Sequence, residues 1–311
     1  MRILIIGFGS IGQRHYQNLK KIGFRNVWVF DVDQNKVKSQ KLKVKIIDEK
    51  SLKCFNVVFV CVPNYLHLKY ALLAAKAGCH LFIEKPLSHN LAGVSKLIKT
   101  CQKNKLITMV GCNLRFNPAI QFIKKYLASS KLGRVYAIHH EFGYYLPYWR
   151  PKQDYRKNYA AKRAWGGGII LDDIHEFDLL FWLNNFSEVK KAKFIYDKIS
   201  NLQIETEDIC IASFQFKNGV ISSVRCDYLQ QVPSRNLKVI SEKGNLEFDF
   251  NLGEVWLKNK KNQRLFSLKR KNDNPDYISE IKYFLACVKN KKQTFNNLNF
   301  AAKILAICLK R

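Results

Sequence analysis

Three short stretches of this chain carry residue types at spacings that could do chemistry. The first is Glu84-Lys85-Pro86, directly after the apolar run His80-Leu81-Phe82-Ile83, which reads as a buried strand. A Glu and a Lys at the mouth of such a strand are costly to bury unless they are paired or used. Pro86 biases Lys85 toward extended backbone and ends the strand there. The ammonium is then held at the carboxyl end of a strand, where open α/β sheets place their ligands. A Lys in that position moves protons when its pKa is lowered. Glu84 is read as positioning it. The plain alternative is a surface lysine beside a turn.

The second stretch is Gly7-Phe8-Gly9-Ser10-Ile11-Gly12, which follows the strand Arg2 to Ile6 and opens a helix over Ser10 to Ile22. In a strand-turn-helix the first glycine permits the tight turn and the second lets backbone approach a pyrophosphate. The third lets helix and strand pack closely, and the helix N-terminus holds the anion. Asp31 ends the next strand, Asn26 to Asp31. A carboxylate there binds ribose hydroxyls and repels a 2′-phosphate, so the expected cofactor is NAD. Arg14 and Lys36 nearby leave NADP open.

The third stretch runs from Gly166-Gly167-Gly168 through Asp172, Asp173 and His175 to Glu176 and Asp178. At i and i+3, Asp172 and His175 share one face of a helix. A carboxylate beside an imidazole orients it and raises its basicity. The glycines would leave the helix start open to a ligand. The competing reading is acidic residues favouring a helix N-terminus, with His175 an ordinary half-buried side chain. Glu176 and Asp178 are assigned to that electrostatic background or to packing.

The elements that must position these groups change character midway. Strands at Arg2 to Ile6, Asn26 to Asp31, Val57 to Val62, His80 to Ile83 and Leu106 to Gly111 alternate with helices at Ser10 to Ile22, Tyr65 to Ala77 and Asn90 to Lys103. That alternation implies a doubly wound parallel sheet. After Pro118 come a helix at Ala119 to Ser129, a strand at Arg134 to Tyr145 and a long aromatic and basic loop from Tyr148 to Arg163. Period-two strands follow, with Cys210, Ala212, Phe214 and Phe216 on one face of Asp208 to Phe216. Asn218-Gly219 signals a type I′ hairpin into Val220 to Tyr228. Strands at Leu237 to Ser241 and Leu246 to Phe250 precede helices at Tyr277 to Val288 and Phe300 to Leu309. The expected fold class is α/β: a Rossmann domain over 1–118, then an α+β domain with an open, mostly antiparallel sheet over 119–311. The last helices are candidates to pack back on the first domain.

Composition narrows the function classes. The 311 residues are 47% hydrophobic, enough for a large core, and no apolar run approaches the roughly 20 residues of a membrane span. The first residues read as a strand, not a signal peptide. Nine cysteines without a Cys-x-x-Cys pair fit a reduced cytoplasmic protein with neither a disulfide framework nor a metal site. The net charge of +29 is spread along the chain, which makes nucleic acid an unlikely partner and fits a solvated Lys-rich surface that draws in anionic substrates. Arg150, Arg156, Arg163 and Arg235 could bind a phosphate or carboxylate bidentately.

Together, the glycine loop, the Glu-Lys-Pro and the Gly-Gly-Gly-x-x-x-Asp with His175 one turn later resemble the Gfo/Idh/MocA oxidoreductases, over nearly the whole chain and in motif order. The resemblance implies a Rossmann domain and an α+β domain whose open sheet has substrate on one side and often a subunit partner, as a homodimer or homotetramer, on the other. It implies that Lys85 holds cofactor and substrate and assists proton transfer, and that His175 is the acid/base with Asp172 beside it. Cys61-Val62-Pro63-Asn64 with His67 resembles the family's turn near the nicotinamide ribose. Asn113 and Arg115 resemble its segment near the nicotinamide and substrate, and Tyr148-Trp149-Arg150 its substrate-side loop. Many members separate the Asp and His by four residues, whereas this chain is closer to an Asp-x-x-His-Glu subgroup, so Asp173 is an alternative functional carboxylate. The implied activity is hydride transfer between a nicotinamide and a secondary alcohol or ketone of a sugar, sugar acid or nucleotide-linked sugar. The alternatives are an NAD-dependent glycosidase using transient redox and a non-catalytic NAD-binding regulator.

Overall fold

The computed structural model describes residues 1–41, 43–44, 46–268 and 274–310. The elements begin with β1 (Ile3–Ile6), α1 (Ser10–Lys21), β2 (Val27–Phe30), α2 (Glu49–Leu52) and β3 (Val57–Val60). They continue with α3 (His67–Lys76), β4 (His80–Ile83), α4 (Val94–Lys103), β5 (Thr108–Val110), α5 (Pro118–Ala128) and β6 (Val135–Tyr145). Next come α6 (Leu146–Trp149), α7 (Ile169–Asp172), α8 (Ile174–Leu183), β7 (Val189–Asp197), β8 (Ile209–Phe216) and β9 (Ile221–Asp227). The chain closes with β10 (Leu229–Ser241), β11 (Gly244–Asp249), β12 (Glu254–Lys258), β13 (Gln263–Ser267), α9 (Asn274–Lys289) and α10 (Leu298–Leu309). It divides into two compact units, Met1–Asn113 with Asn274–Leu309, and Leu114–Asp273 with Lys310–Arg311.

The first unit is built on a five-stranded parallel sheet in the order β2-β1-β3-β4-β5. Its strands are near-continuous apolar runs because helices cover both faces. Ile3 to Ile6, Val57 to Val60 and Leu81 to Ile83 are fully buried. The edge strand β5 is closed off by the segment before α10. Gln293 Nε2, Thr294 Oγ1 and Asn296 Nδ2 donate to the carbonyls of Leu106, Thr108 and Val110 at 2.9, 2.6 and 2.5 Å. An edge so covered offers no free row of backbone groups for strand pairing.

The second unit carries an eight-stranded sheet in the order β13-β12-β11-β10-β6-β9-β8-β7. All pairings are antiparallel except β6 with β9. Cys210, Ala212, Phe214 and Phe216 lie buried on one face, where Phe177 and Phe181 of α8 meet Phe214 edge-on at 6.3 and 5.3 Å. On the opposite face, Ile211 of β8 is half exposed and pairs directly with Ile195 of edge strand β7, which is 75% exposed.

Three local expectations are corrected, and three strands were not anticipated. The Asn218-Gly219 hairpin is not type I′. Only Gly219 of the pair has positive φ (87°), and Gly219 N–H donates to the Phe216 carbonyl at 3.0 Å, the geometry of a type I turn closed by a left-handed glycine. The segment after the triple glycine is not one helix, because Asp173 (φ −104°, ψ 34°) separates α7 from α8. The stretch from Tyr148 to Arg163 is not a plain loop but a succession of short helical turns. Three strands, β7, β12 and β13, lacked a readable pattern. In β7 the run Lys190-Lys191-Ala192-Lys193 is wholly exposed, as charged edge strands are, so the apolar alternation that marks a strand is missing. Among the described residues, no helix is long and apolar enough to cross a membrane, all nine cysteines are free, and no group of His, Cys, Asp or Glu is arranged to hold a metal.

Candidate active site

In the first unit, parallel order alone gathers the cofactor candidates at one edge. Gly7 to Gly12 follow β1, Asp31 follows β2, Cys61 to Asn64 and His67 follow β3, Glu84 and Lys85 follow β4, and Asn113 follows β5. The three glycines of the loop do different work. A Cβ on Gly7 would lie 2.5 Å from the Cys61 carbonyl oxygen, and one on Gly12 would lie 2.0 Å from that of Gly7. A Cβ on Gly9 would meet nothing within 4 Å. Gly7 and Gly12 are therefore needed for packing, while Gly9 keeps a space open in front of α1. No side chain caps α1 and no acidic residue lies in its first turn, so its leading N–H groups face that space as a site for an anion. Ser10 is exposed and Ile11 half-buried at its rim.

Asp31 is buried, with Oδ2 accepting from Phe8 N–H at 2.7 Å and Oδ1 from Asp33 N–H at 2.9 Å. These bonds fix the carboxylate beside the glycine loop and leave it lone pairs for a ribose diol. Lys36 Nζ stands 3.9 Å from Oδ1. An open space before an uncapped helix, flanked by a fixed carboxylate, fits a dinucleotide. At the end of β4, Glu84 is buried and its Oε1 lies 2.5 Å from His15 Nε2. Burial pushes the Glu84 carboxyl up, but the His15 hydrogen bond and charge, with Lys85 and His67, outweigh it and leave it below its ordinary range. His67 is also buried, with Nδ1 2.7 Å from the Pro86 carbonyl oxygen and Nε2 2.7 Å from that of Val62. Its ring faces the turns that flank Lys85, not open space. Lys85 itself is half-buried.

In the second unit, Asp172 is the centre of a hydroxyl cluster. Its Oδ1 accepts from Tyr159 at 2.5 Å, and its Oδ2 accepts from Tyr228 at 3.1 Å and Tyr144 at 3.3 Å. Burial, and next the negative charge of Asp172, push all three phenols well above their ordinary pKa, so each stays a protonated donor. Trp149 packs on Tyr144 with ring centroids 4.4 Å apart. Trp149, Arg150, Gln153, Tyr155, Tyr159 and Asp172 are among the residues lining a small pocket. The triple glycine makes this arrangement possible in a way unlike the expected open approach. A Cβ on Gly167 would lie 2.3 Å from the Tyr159 carbonyl oxygen and 2.5 Å from that of Ala160. The glycines therefore let the Tyr159 segment pack directly against the start of α7. His175 lies half-buried in the first turn of α8, beyond the break at Asp173, and Asp173 is buried.

The other acidic residues of the segment are structural ion pairs. Asp178 takes a two-pronged bond from Arg115, with Nε to Oδ2 at 2.7 Å and Nη2 to Oδ1 at 2.5 Å, and Arg115 has no exposed surface. Arg115 was expected at the substrate; in the structure its Nε and Nη2 are engaged by Asp178. Glu176 has no exposed surface either. Its Oε1 lies 2.9 Å from Arg235 and its Oε2 3.1 Å from His140 Nδ1. Arg235 also stacks on Phe142 at 3.7 Å. Arg156 pairs with Asp154, and Arg163 donates to the Glu205 carbonyl. Of the four arginines considered for an anionic substrate, Arg150 is the one that lines the pocket. Sequence reasoning missed His15, Tyr144, Tyr159 and Tyr228. Only His15 left a local signal, as a histidine on the buried side of α1 three residues after Gly12.

The first unit thus defines a dinucleotide-binding protein, and comparison with known proteins narrows the class. Residues 1–112 match the model of an oxidoreductase family with an NAD-binding Rossmann fold, and residues 120–247 match the GFO/IDH/MocA C-terminal domain. A myo-inositol 2-dehydrogenase of Thermotoga maritima is 28% identical, over 93% of this chain and 89% of that protein. A UDP-N-acetylglucosamine 3-dehydrogenase from Acidithiobacillus ferrooxidans superposes with a TM-score of 0.80 at 20% identity, covering 100% of this chain and 96% of that one. A levoglucosan dehydrogenase solved with NADH superposes with a TM-score of 0.85 at 16% identity, covering 99% and 95%. The chain belongs to the GFO/IDH/MocA family of oxidoreductases, and its first unit is an NAD-binding domain.

Proposed function

We propose that this protein is an NAD-dependent dehydrogenase that interconverts a secondary alcohol and a ketone on a sugar, sugar acid or nucleotide-linked sugar. The observation that carries the reading is the pairing of the open cradle before α1 with Lys85 at the end of β4, in a chain that also holds the Asp172 pocket. Bound NAD supplies the hydride acceptor. His175 takes the hydroxyl proton during oxidation and returns it during reduction. Lys85 stabilises the alkoxide-like oxygen and shares the proton. Asp172, held by three phenols, accepts a hydrogen bond from a substrate hydroxyl and fixes the sugar ring. Trp149 offers an apolar ring face, and Arg150 a charge for a carboxylate or phosphate. Gly7, Gly9, Ser10, Ile11, Gly12 and Asp31 would hold the pyrophosphate and ribose, and Cys61, Pro63, Asn64, Glu84 and Asn113 would border the nicotinamide. The dehydrogenase names of the relatives support the substrate class. Eight buried free thiols fit a reducing cytoplasm, and the exposed Ile195–Ile211 pair fits a homo-oligomer.

The test is reduction of NAD, followed by absorbance, with myo-inositol, levoglucosan and UDP-N-acetylglucosamine as probes. His175→Ala should lower turnover on the active probe by about 10² to 10⁴-fold, the usual worth of a positioned proton-transfer group, with NADH binding intact. Unchanged turnover in that variant would remove His175 from the mechanism.

A further inference from the structure

Two buried histidines in the first unit have polar contacts that a core position does not need. His15 has no exposed surface, and its ring lies among Phe59, Phe82 and Tyr277 at centroid distances of 5.4, 5.2 and 6.1 Å. A leucine would fill such an aromatic niche without a polar atom to satisfy. Instead Nε2 contacts the buried Glu84 carboxylate at 2.5 Å. A carboxylate only accepts, so Nε2 is the protonated nitrogen. Burying this pair costs desolvation that an apolar pair would not incur.

His67 is 1% exposed and lies between two carbonyl oxygens, those of Val62 and Pro86, each at 2.7 Å. A neutral imidazole donates to one of these carbonyls and packs against the other, so the ring spans the turn after β3 and the turn after β4. The Val62 turn is itself pressed against the glycine loop, since a Cβ on Gly7 would lie 2.8 Å from the Val62 nitrogen. The two contacts therefore reach both neighbours of one residue. His15 holds the side chain of residue 84, and His67 stands against the carbonyl of residue 86.

We propose that His15 and His67 are positioning residues that bracket Lys85 and set where its ammonium stands at the end of β4. This rests on the reading above in which Lys85 acts in the reaction. Neither ring touches substrate. His15 acts through the Glu84 side chain on one side of Lys85, and His67 through the Pro86 backbone on the other. Displacing a reacting group by about 1 Å can cost on the order of 10²-fold in rate.

The experiment is a pair of double-mutant cycles. His15→Gln and His67→Gln are each made alone and in a Lys85→Met background, with turnover measured on the active probe and NADH binding measured by fluorescence. Each single variant should bind NADH as the unaltered protein does and lose about 10²-fold in kcat. In the Lys85→Met background the same change should cost nothing more, because its effect passes through the missing ammonium. Equal losses in both backgrounds overturn the proposal, as do variants that fail to fold, which would make the rings core struts. A second readout needs no substrate. After reductive ¹³C-methylation, the Lys85 resonance, assigned by its absence in Lys85→Met, should move in both histidine variants. An unmoved resonance overturns the bracket. Full turnover in Lys85→Met would instead sink the catalytic reading of Lys85 while the resonance still reports on its positioning.

Discussion

Tyr159 donates its hydroxyl to Asp172 Oδ1 at 2.5 Å, while the second oxygen of the same carboxylate is held by Tyr228 and Tyr144. Tyr144 and Tyr228 are buried, and Tyr159 is half-buried and lines the pocket. One oxygen is thus anchored from the core and the other is presented at the pocket wall. Tyr159→Phe should remove one charge-assisted bond and lower kcat/KM by about tenfold or more, from the roughly 1.5–3 kcal/mol typical of such bonds. The loss should fall mainly on KM, with NADH affinity unchanged. A steady-state kcat–KM split checks this, and an unaltered KM would count against Asp172 as a substrate contact.

The loop glycines should separate folding from binding. Gly9→Val adds atoms to an open space and should leave the melting temperature near that of the unaltered protein while weakening NADH binding. Gly12→Ala places a Cβ 2.0 Å from the Gly7 carbonyl oxygen and should lower the melting temperature as well. Thermal melts and NADH fluorescence titrations on the two variants check the contrast.

Arg115 should behave as a strut. Arg115→Met leaves Asp178 buried without its two-pronged partner, and breaking a buried pair in this way costs about 3–5 kcal/mol. Urea unfolding should show the loss. Folded enzyme at low temperature should keep its substrate KM, and a large rise in KM without loss of stability would restore Arg115 to the substrate site.

Stability should fall on mild acidification. Burial is the largest influence on His67, His80, His89, His139 and His140, and it holds each below the ordinary histidine pKa of 6.5. The unfolded chain therefore takes up protons first as pH drops. The contribution of these groups is full above about pH 6.5 and is lost as pH falls through their lower folded values. Glu84, held below its ordinary 4.5, adds a further loss as pH falls through its own folded value. Melting temperatures measured from pH 7.5 down to 4 should decrease throughout, and a rise between pH 7 and 5.5 would contradict the assignment.

The exposed apolar pair on the open sheet gives a test of assembly. Ile195 and Ile211 face each other across β7 and β8. Light scattering should show a dimer or larger species, and Ile211→Lys should shift it toward monomer. A monomeric unaltered protein would remove the homo-oligomer from the proposed function.

Local pattern was enough for the parts of this protein whose physics is local. Apolar runs marked β1, β3 and β4, because strands buried on both faces must be apolar throughout. The glycine loop was legible because its spacing is dictated by one turn and one helix start, and Asp31 because it sits at a strand end. The side of β8 that is buried followed from period-two alternation. What pairs with what was not legible. Asp172 takes hydroxyls from residues 13, 28 and 56 positions away, which no local spacing signals. Arg115 and Asp178 meet across 63 positions, and His15 and Glu84 across 69. The type I turn at Gly219 and the break at Asp173 also depend on context beyond their own residues. Sequence spacing reports neighbours along the chain. The partner of a buried charge is chosen by which distant donor the folded sheet brings within 3 Å, because a charge removed from water must find one. That is why residue types pointed to a dinucleotide cradle and to a lysine at the end of β4, while only the tertiary structure brought His15 to Glu84 and His67 to Pro86.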